Sequence, residues 1–221
     1  MLERAPVAAL KRAETRRDPD ATRARILEAA VAEFAAKGLA GARVDEIAAR
    51  AGANKRMLYH YFGNKDDLFL AALERVYEEI REAEQALDLE RLAPMEAMQA
   101  LVEFTFDYFA RRPEFVTLLN SENLHKARHL KRSERIAAMH SPLIELIDGI
   151  VKRGIAQRIM RSGVDPMQLY ISIAGVSYFY HSNIHTLSTI FLRDFRSDGE
   201  RARRREHVVE VILGFLRKDS K

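Results

Sequence analysis

The spacing of apolar residues limits the fold of this chain more than any other feature of the sequence. Ile26, Ala30 and Phe34 follow one another at steps of four, which places them on one face of a helix. A second stripe, between about residues 65 and 92, contains Leu68, Ala72, Leu73, Val76, Ile80, Ala83 and Leu87. No segment shows the alternation with a period of two that a half-buried strand requires. The chain is therefore predicted to be all-α.

The prolines divide the chain into helices. Proline fits the first turn of a helix, because its missing N–H would have no partner there. Five of the six prolines stand where a helix can begin, namely Pro19, Pro94, Pro113, Pro142 and Pro166. Three of them follow a residue whose side chain can cap the helix, namely Asp18, Ser141 and Asp165. With Gly38 as a left-handed cap and Gly52 as a break, the predicted helices run at about 19–37, around 44–48, and at about 55–62, 65–92, 94–111, 113–124, 134–155, 166–192 and 201–218.

The composition excludes several classes of protein. There is no cysteine, which excludes disulfides, thiolate catalysis and cysteine-based zinc sites. No segment approaches the roughly 18 consecutive apolar residues of a membrane span, so we expect a cytoplasmic protein with no membrane partner. No nucleophile elbow, phosphate loop or paired carboxylate motif is present. We therefore expect neither an enzyme nor a cofactor. A helical hydrolase is the alternative, and turnover of ester substrates would favour it.

Positive charge is concentrated at the N-terminal end of the chain. The net charge of the whole chain is +4, whereas the first 65 residues carry 13 Lys and Arg against 8 Asp and Glu, a net +5. No acidic residue occurs between Ile47 and Lys65. Such a field favours contact with a polyanion such as DNA, although a solvated basic face with no partner would have the same composition.

The segment from Val44 to Phe62 has the pattern of a helix-turn-helix, with Gly52 in the turn between two short helices. Asn54 can cap the second helix. At about 100° per residue, one face of that helix, about 140° wide, contains Lys55, Arg56, Tyr59 and His60. Leu58 and Phe62 lie outside this face. The basic and aromatic face is therefore predicted to meet DNA, and the adjoining apolar face to pack in a core.

The stretches RILEAAVAEFAAKG (residues 25–38) and IAARAGANKRMLYHYFGNKDDL (residues 47–68) resemble the DNA-binding domain of the tetracycline-repressor family. The matching positions are Ala29, Ala30, Phe34, Ile47, Ala48, Ala51, Gly52, Leu58, Tyr59, Phe62 and Lys65. The resemblance implies a flexible basic arm at 1–17, a three-helix DNA-binding domain at 18–64, and a larger helical ligand-binding and dimerisation domain at 65–221. It also implies a homodimer that represses transcription from a palindromic operator and is released by a small organic effector.

The same resemblance implies roles for individual residues. Base contacts are expected from Lys55, Arg56 and Tyr59, and phosphate contacts from His60, Tyr61 and Lys65, while Arg43 and Asn54 complete the predicted DNA-binding set. Chemistry agrees with the base contacts, because Arg or Lys can donate to guanine O6 and N7, and a tyrosine ring can meet a thymine methyl group.

Two positions depart from the family pattern. Arg43 stands where the family often has Thr, and Ala42 beside it cannot cap the second helix. We therefore expect the start of that helix to depend on water or on a DNA phosphate. Met57 replaces a commonly small or hydroxylated residue, which removes a hydrogen bond to phosphate and leaves the operator sequence open.

The C-terminal part contains the candidate effector site. Residues 94–155 are rich in aromatic side chains, which can line a cavity or can form an ordinary core. The predicted ligand-binding residues are Phe104, Tyr108, Phe115, Asn120, His140 and Tyr178. The resemblance to the family favours a cavity but does not indicate which molecule it binds.

Two late segments are candidates for a dimer interface. Residues 169–191 are apolar around most of the helix, and the small Ala174 and Gly175 permit close approach of another helix. With the last helix, they resemble the helix pair that forms a four-helix interface in this family. A homodimer is therefore predicted through the helices near 166–192 and 201–218, and an intramolecular core is the alternative.

Two pairs of histidines suggest a different sensor. His125 with His129, and His181 with His185, are each four residues apart, as zinc ligands on one helix face are. A metal-responsive regulator or metal-binding protein is thus the alternative function. We favour an organic effector, because only Glu122 stands close in sequence as an additional carboxylate ligand.

Overall fold

The computed structural model describes residues 18–218, apart from the side chains of Ala137 and His140, and the predicted arm at 1–17 lies outside the described residues. Within this range the chain forms α-helices and two 3₁₀ turns, with no β-strand. The helices are α1 (Pro19–Gly41), α2 (Val44–Arg50), α3 (Lys55–Phe62), α4 (Lys65–Gln85), α5 (Pro94–Arg111), α6 (Pro113–Leu124), α7 (Glu134–Ala156), α8 (Pro166–Ser182), α9 (Ile184–Ile190) and α10 (Asp198–Leu216), and the 3₁₀ turns are Leu89–Arg91 and Leu130–Arg132. The all-α prediction is confirmed. No helix of the described residues is long and apolar enough to cross a membrane.

Two predicted aspartate caps start their helices as expected. Asp18 Oδ1 accepts hydrogen bonds from the backbone N–H groups of Asp20 and Ala21, at 3.0 and 3.3 Å. Asp165 Oδ1 accepts from Met167 and Gln168, at 2.8 and 3.2 Å. These carboxylates satisfy N–H groups that have no partner inside the helix. The starts of α1 and α8 are therefore set by local sequence.

Pro142 stands where a helix could begin, but no helix starts there. The proline lies inside α7, which matches the helix predicted at about 134–155, and the cap of α7 is Ser133, not Ser141. The Ser133 hydroxyl accepts a hydrogen bond from the Ile136 N–H at 3.3 Å. Proline removes one backbone hydrogen bond from a helix interior. The helix continues because its apolar face is buried after the proline, with Ile147 fully inaccessible.

Two long predicted helices are shorter in the structure. Helix α4 ends at Gln85, and Asp88 then adopts a left-handed conformation (φ 48°) that directs Leu89 into the core, where it is 2% exposed. The predicted helix at 166–192 divides into α8 and α9 at Asn183. The Asn183 side chain donates to the Phe179 carbonyl at 3.0 Å and so closes the end of α8.

Helix α1 also differs from its predicted end. Gly38 has the positive φ expected of it (66°), but its ψ of 174° is extended instead of left-handed helical. The chain therefore bends at Gly38 and makes one more turn before Gly41. This bend carries the chain from α1 to α2.

The apolar interior forms two clusters. The first, which we call the head core, joins α1, α2 and α3 to α4 and α6, with Phe34, Phe69 and Leu118 among its buried members. The second, the C-terminal core, joins α5, α7, α8 and α10. The head core thus extends across residue 65, where the sequence suggests a domain boundary. Consequently α4 and α6 pack directly against the DNA-binding head.

Candidate DNA-binding surface and effector cavity

Helix α3 is held by its apolar side and exposes its basic side. Leu58 is fully inaccessible and Phe62 is 8% exposed, so both anchor α3 in the head core. The Asn54 side chain accepts a hydrogen bond from the Met57 N–H at 2.9 Å, which confirms the predicted cap. Because the helix is fixed at its cap and along one face, its remaining side chains have defined directions.

The predicted base-contacting residues lie together on the exposed side of α3. Lys55, Arg56 and Tyr59 are all exposed, and Tyr59 presents 39% of its surface. The Lys55 ammonium is 3.3 Å from Asp45 Oδ1 of α2, and both side chains are exposed. Exposed ion pairs of this kind are weak. Lys55 can therefore exchange Asp45 for a DNA group at little cost.

The predicted phosphate-contacting residues flank this surface. The exposed His60 ring packs edge-on against the half-buried Tyr61 ring, with centroids 5.4 Å apart. Lys65, in the first turn of α4, donates to the Ala40 carbonyl at 3.4 Å. Arg43 is exposed at the start of α2, where its side chain makes no capping hydrogen bond. Two of these residues thus belong to α3 itself, and the other two lie at the starts of the helices before and after it.

A buried acid that the sequence analysis missed supports this surface. Glu33 is 1% exposed, and its Oε1 accepts from Lys37 at 2.8 Å and from the Arg43 N–H at 3.3 Å. The hydrogen bond from Lys37 lowers the pKa of Glu33 against the opposing effect of burial. Glu33 therefore holds the residue before α2, while Arg43 gives the helix no side-chain cap, so the expectation that the first N–H groups of α2 meet water or a DNA phosphate stays a prediction. The signal of Glu33 in the sequence is an acid within the apolar run of α1.

A second candidate site is a cavity of about 290 Å³ between α4, α5, α6 and α8, which we call the effector cavity. Most of its wall is aromatic or aliphatic. The lining residues are Tyr77, Ile80, Arg81, Glu84, Thr105, Phe109, Phe115, Leu119, Asn123, Tyr170, Ile171, Ala174, Gly175 and Tyr178. Small ligands bind in concave, mostly apolar sites with a few polar groups, so this wall has the composition of a ligand site.

One end of the effector cavity is charged. Arg81 and Glu84, one turn apart on α4, are 7% and 5% exposed, and Arg81 Nη1 is 2.9 Å from Glu84 Oε2. Burial raises the pKa of Glu84 to about 7, although Arg81 opposes this shift. The sequence analysis missed the pair, because an acid and a base three apart on a helix usually form a solvated ion pair. Contacts with other helices bury them in the folded chain.

The structure places two of the predicted ligand-binding residues, Phe115 and Tyr178, in the cavity wall. The Tyr178 hydroxyl donates to Asn120 Oδ1, so Asn120 lies next to the wall. Tyr108 is buried and packs edge-on against Phe115 at 6.1 Å, and Phe104 packs on Tyr108 from farther out. The side chain of His140 lies outside the described residues. All six remain predictions as ligand contacts.

The histidine pairs do not form the predicted one-face arrangement. Helix α6 ends at Leu124, and the chain between His125 and His129 is a turn with positive φ at Lys126 and Ala127, although the two rings lie 5.8 Å apart. His181, one residue before the end of α8, is half-buried, and burial lowers its pKa to about 4, whereas His185 is exposed on α9. Among the described residues, no three His, Asp or Glu side chains are grouped to hold a metal.

His129 instead joins the C-terminal part to the head. Its ring is buried, and its Nδ1 lies 2.6 Å from Oε2 of the buried Glu122. Glu122 Oε1 also accepts from the His129 N–H at 2.8 Å. The His129 ring packs edge-on against Phe69 of α4 at 4.9 Å, and Arg128 binds Asp66 at 3.0 Å. We call this cluster the α6–α4 joint.

Helices α8 and α10 expose an apolar surface. Its members are Met167, Ile171, Phe179, Val211 and Phe215, each between 45% and 56% exposed. Contiguous apolar surface of this kind marks an interaction site. The surface lies on the two helices that the sequence analysis assigns to dimerisation.

Comparison with known proteins matches both parts of the chain. One family profile, described as bacterial regulatory proteins of the tetR family, matches residues 26–72, and another, the tetracyclin repressor-like C-terminal domain, matches residues 94–212. The HTH-type transcriptional repressor NicS of Pseudomonas putida is 37% identical over 199 residues, covering 90% of this chain and 94% of NicS. The HTH-type transcriptional repressor SCO4008 of Streptomyces coelicolor is 46% identical over 110 residues, covering 49% and 53%. A solved TetR transcriptional regulator from Chloroflexus aurantiacus superimposes with a TM-score of 0.69 at 25% identity, covering 91% of this chain and 98% of that one.

Proposed function

The chain belongs to the tetracycline-repressor family, whose members are transcriptional regulators that bind operator DNA as dimers and respond to small molecules, and on this basis we propose how its residues divide these tasks. We propose a repressor that binds a palindromic operator through α3 of each subunit and is released when an organic effector fills the effector cavity. The observation that carries the proposal is the head core, in which α4 and α6 belong to both the cavity wall and the packing of the head.

For DNA binding, we assign base contacts to Lys55, Arg56 and Tyr59, because they are exposed together on a helix that is fixed along its other side. His60 near the end of α3 and Lys65 at the start of α4 are suited to phosphates, and contacts to phosphates fix the register of a protein on the duplex. Asn54 and Glu33 act indirectly, since they hold the starts of α3 and α2.

For dimerisation, we assign the apolar surface of α8 and α10. Side chains such as Phe179 and Phe215 are about half exposed in the single chain, and a second copy would cover them in a four-helix arrangement. A two-fold dimer presents its two α3 helices about one turn of DNA apart or somewhat more, so a palindromic site follows from the symmetry.

For the response to effector, we assign the α6–α4 joint. Helix α6 contributes Phe115 and Leu119 to the cavity. Its Glu122 holds the His129 ring against Phe69 of α4, which lies three residues after Asp66. A ligand changes DNA affinity only if it binds the two conformations of the dimer unequally. A shift of α6 that tilts the start of α4 would change the separation of the two α3 helices. The family assignment and the turn between His125 and His129 both favour this reading over a metal sensor.

Selection of bound duplexes from a random pool tests the proposal directly. At low salt, the full-length protein should enrich a two-fold sequence, and light scattering should give a dimer. A folded protein that enriches no palindrome would contradict the operator assignment. Phe179→Ser in α8 should weaken dimerisation and operator binding together, whereas Leu124→Ser, also exposed but on α6, is the matched control and should leave both unchanged.

A further inference from the structure

The charged end of the effector cavity has hydrogen-bonding capacity that the chain does not use. Arg81 Nη1 and Glu84 Oε2 form an ion pair at 2.9 Å, and the Arg81 side chain also has a hydrogen bond with Tyr170, but Arg81 Nε, Arg81 Nη1 and Glu84 Oε2 are buried and have no correctly oriented hydrogen-bond partner among the described residues. The Thr105 hydroxyl, which also lines the cavity, is already committed to the Leu101 carbonyl at 2.8 Å. The polar groups that remain open at this end therefore belong to Arg81 and Glu84.

Open polar groups of this kind are costly in a protein interior. A buried charge without its full set of hydrogen bonds destabilises the fold by several kcal/mol, and nearly all buried polar groups in native proteins are paired. Groups that violate this rule in a cavity are candidates for binding a ligand. Arg81 and Glu84 satisfy the condition, because both border an empty volume of about 290 Å³.

The size and walls of the cavity restrict the rest of the ligand. A volume of about 290 Å³ is near the lower end of ligand sites, which begin at about 300 Å³. The rings of Phe109, Phe115 and Tyr178 stand beside this volume, and Tyr77 closes it on α4. Aromatic side chains pack best against another ring, either offset or edge-on. A small ring system therefore fits the walls better than a long flexible chain.

The charges at the polar end select among ring compounds. The Arg81 guanidinium disfavours a cationic ligand and offers donors to an anionic oxygen. Glu84 would repel an anion only while it is ionised. Its pKa of about 7 allows protonation near neutral pH at little cost. The other ionisable groups near this pair on α4, α5 and α8 are tyrosines whose pKa is raised by burial, namely Tyr77, Tyr108, Tyr170 and Tyr178.

We propose that the effector of this protein is a small aromatic carboxylic acid. Its carboxylate accepts hydrogen bonds from Arg81, its ring lies among Phe109, Phe115 and Tyr178, and a protonated Glu84 donates to a carboxylate oxygen. This inference rests on the proposed function in one respect, namely that the effector cavity is the regulatory site. It adds the chemical class of the ligand and the residues that recognise it.

Binding of such an acid takes up a proton. In the protein without ligand, Glu84 is partly ionised near neutral pH, and it is protonated in the complex, so binding takes up a fraction of a proton that increases as the pH rises through about 7. Affinity therefore falls as the pH rises above about 7, at most about tenfold per pH unit. A neutral amide, which can accept from Arg81 and donate to an ionised Glu84, would bind without uptake.

Calorimetry on the full-length protein separates these ligand classes without DNA. The probes are benzoate, benzamide and benzylamine, with the three corresponding 2-substituted naphthalenes, each titrated at pH 7 and pH 8 in phosphate and in Tris. At least one carboxylate should bind more tightly than its amide and amine, with a buffer dependence that gives proton uptake. The inference is overturned if the amides bind as tightly as the carboxylates, if no proton is taken up, or if no carboxylate binds below about 10 mM.

Variants of Arg81 and Glu84 test whether Arg81 binds the carboxylate and whether Glu84 takes up the proton. Arg81→Met should weaken carboxylate binding about 10-fold to 100-fold, and Arg91→Met, at an exposed arginine of the neighbouring 3₁₀ turn, is the matched control. Glu84→Gln mimics the protonated acid, so it should keep carboxylate binding and abolish proton uptake even if Arg81→Met fails to fold. Loss of carboxylate binding in Glu84→Gln, or uptake that persists there, would overturn the role of Glu84. Operator selection by the same protein is independent of these results, so the two proposals can fail separately.

Discussion

Two buried glutamates, one in the head and one in the effector cavity, respond to burial in opposite ways. Glu33 is 1% exposed and Glu84 is 5% exposed, and each lies beside a positive side chain. The pKa of Glu33 is lowered, whereas that of Glu84 is raised to about 7. The difference lies in their hydrogen bonds. Glu33 accepts from Lys37 and from the Arg43 N–H, while Glu84 Oε2 has no oriented donor.

This difference distinguishes a buried carboxylate that stabilises the fold from one that can bind a proton or a ligand. A carboxylate whose acceptor sites are filled is stabilised in its charged form and fixes the elements around it. A carboxylate that is desolvated without such donors keeps the capacity to bind a proton or a ligand. On this reading, the head is preorganised for DNA, and the cavity is left incomplete until an effector enters.

Leu58→Ala should have the largest effect, because it removes a side chain that anchors α3 in the head core. Leu58 is fully inaccessible under α3, and truncating a leucine at such a site costs about 2 to 5 kcal/mol. We expect loss of cooperative stability in urea unfolding and loss of operator binding. Leu124→Ala, at an 83% exposed position, should stay within about 0.5 kcal/mol of the parent. Equal loss in both variants would show that α3 is not anchored as described.

Glu33→Gln should destabilise the fold by about 1 to 3 kcal/mol at pH 7, since it weakens the bonds to Lys37 and to the start of α2. A lowered pKa adds stability above the pKa of the unfolded chain, and this stability is lost as the pH falls through the folded value. The difference between parent and variant should therefore shrink in acid. A difference that grows in acid would contradict the structural role of Glu33.

Arg56→Ala and Lys65→Ala should have effects of similar or smaller size on DNA binding but of different kinds. Arg56→Ala should cost about 1 to 3 kcal/mol and relax the preference at one base pair. Lys65→Ala should weaken all sequences alike and lower the salt slope by about 1. Binding measured across single-base operator variants and salt concentrations separates the two outcomes. If both variants lose discrimination equally, the division into base and phosphate contacts is wrong.

Glu84→Gln should change how stability depends on pH, because the variant has no carboxyl group that can ionise at this buried position. The sign of its pH dependence is opposite to that of Glu33. A raised pKa gives stability that is complete below the unfolded pKa and is lost as the pH rises through about 7. Urea unfolding should show the parent losing stability relative to Glu84→Gln between about pH 4.5 and 7. If the unfolding free energies of the two proteins change equally with pH, the contrast between Glu84 and Glu33 is wrong.

The exposed basic face of α3 could be predicted from the sequence, because its determinants are local. Asn54 directly precedes α3 and caps it, and the spacing of Leu58 and Phe62 fixes which face of the helix is buried. Given those two features, the exposure of Lys55 and Arg56 follows. The caps at Asp18 and Asp165 were equally readable, since a cap acts on N–H groups two or three residues ahead.

The sequence by itself thus determined the helical class, most helix starts, the basic face of α3 and the family, all of which depend on periodicity and short-range spacing. The tertiary structure decided what depends on contacts between distant segments. It joined His125 and His129 by a turn, so that they do not share a helix face, and it packed α6 against the head. It also buried Arg81 and Glu84. Burial, and with it the pKa of a buried group, is set by neighbours far along the chain, which the spacing of residues on one helix does not specify.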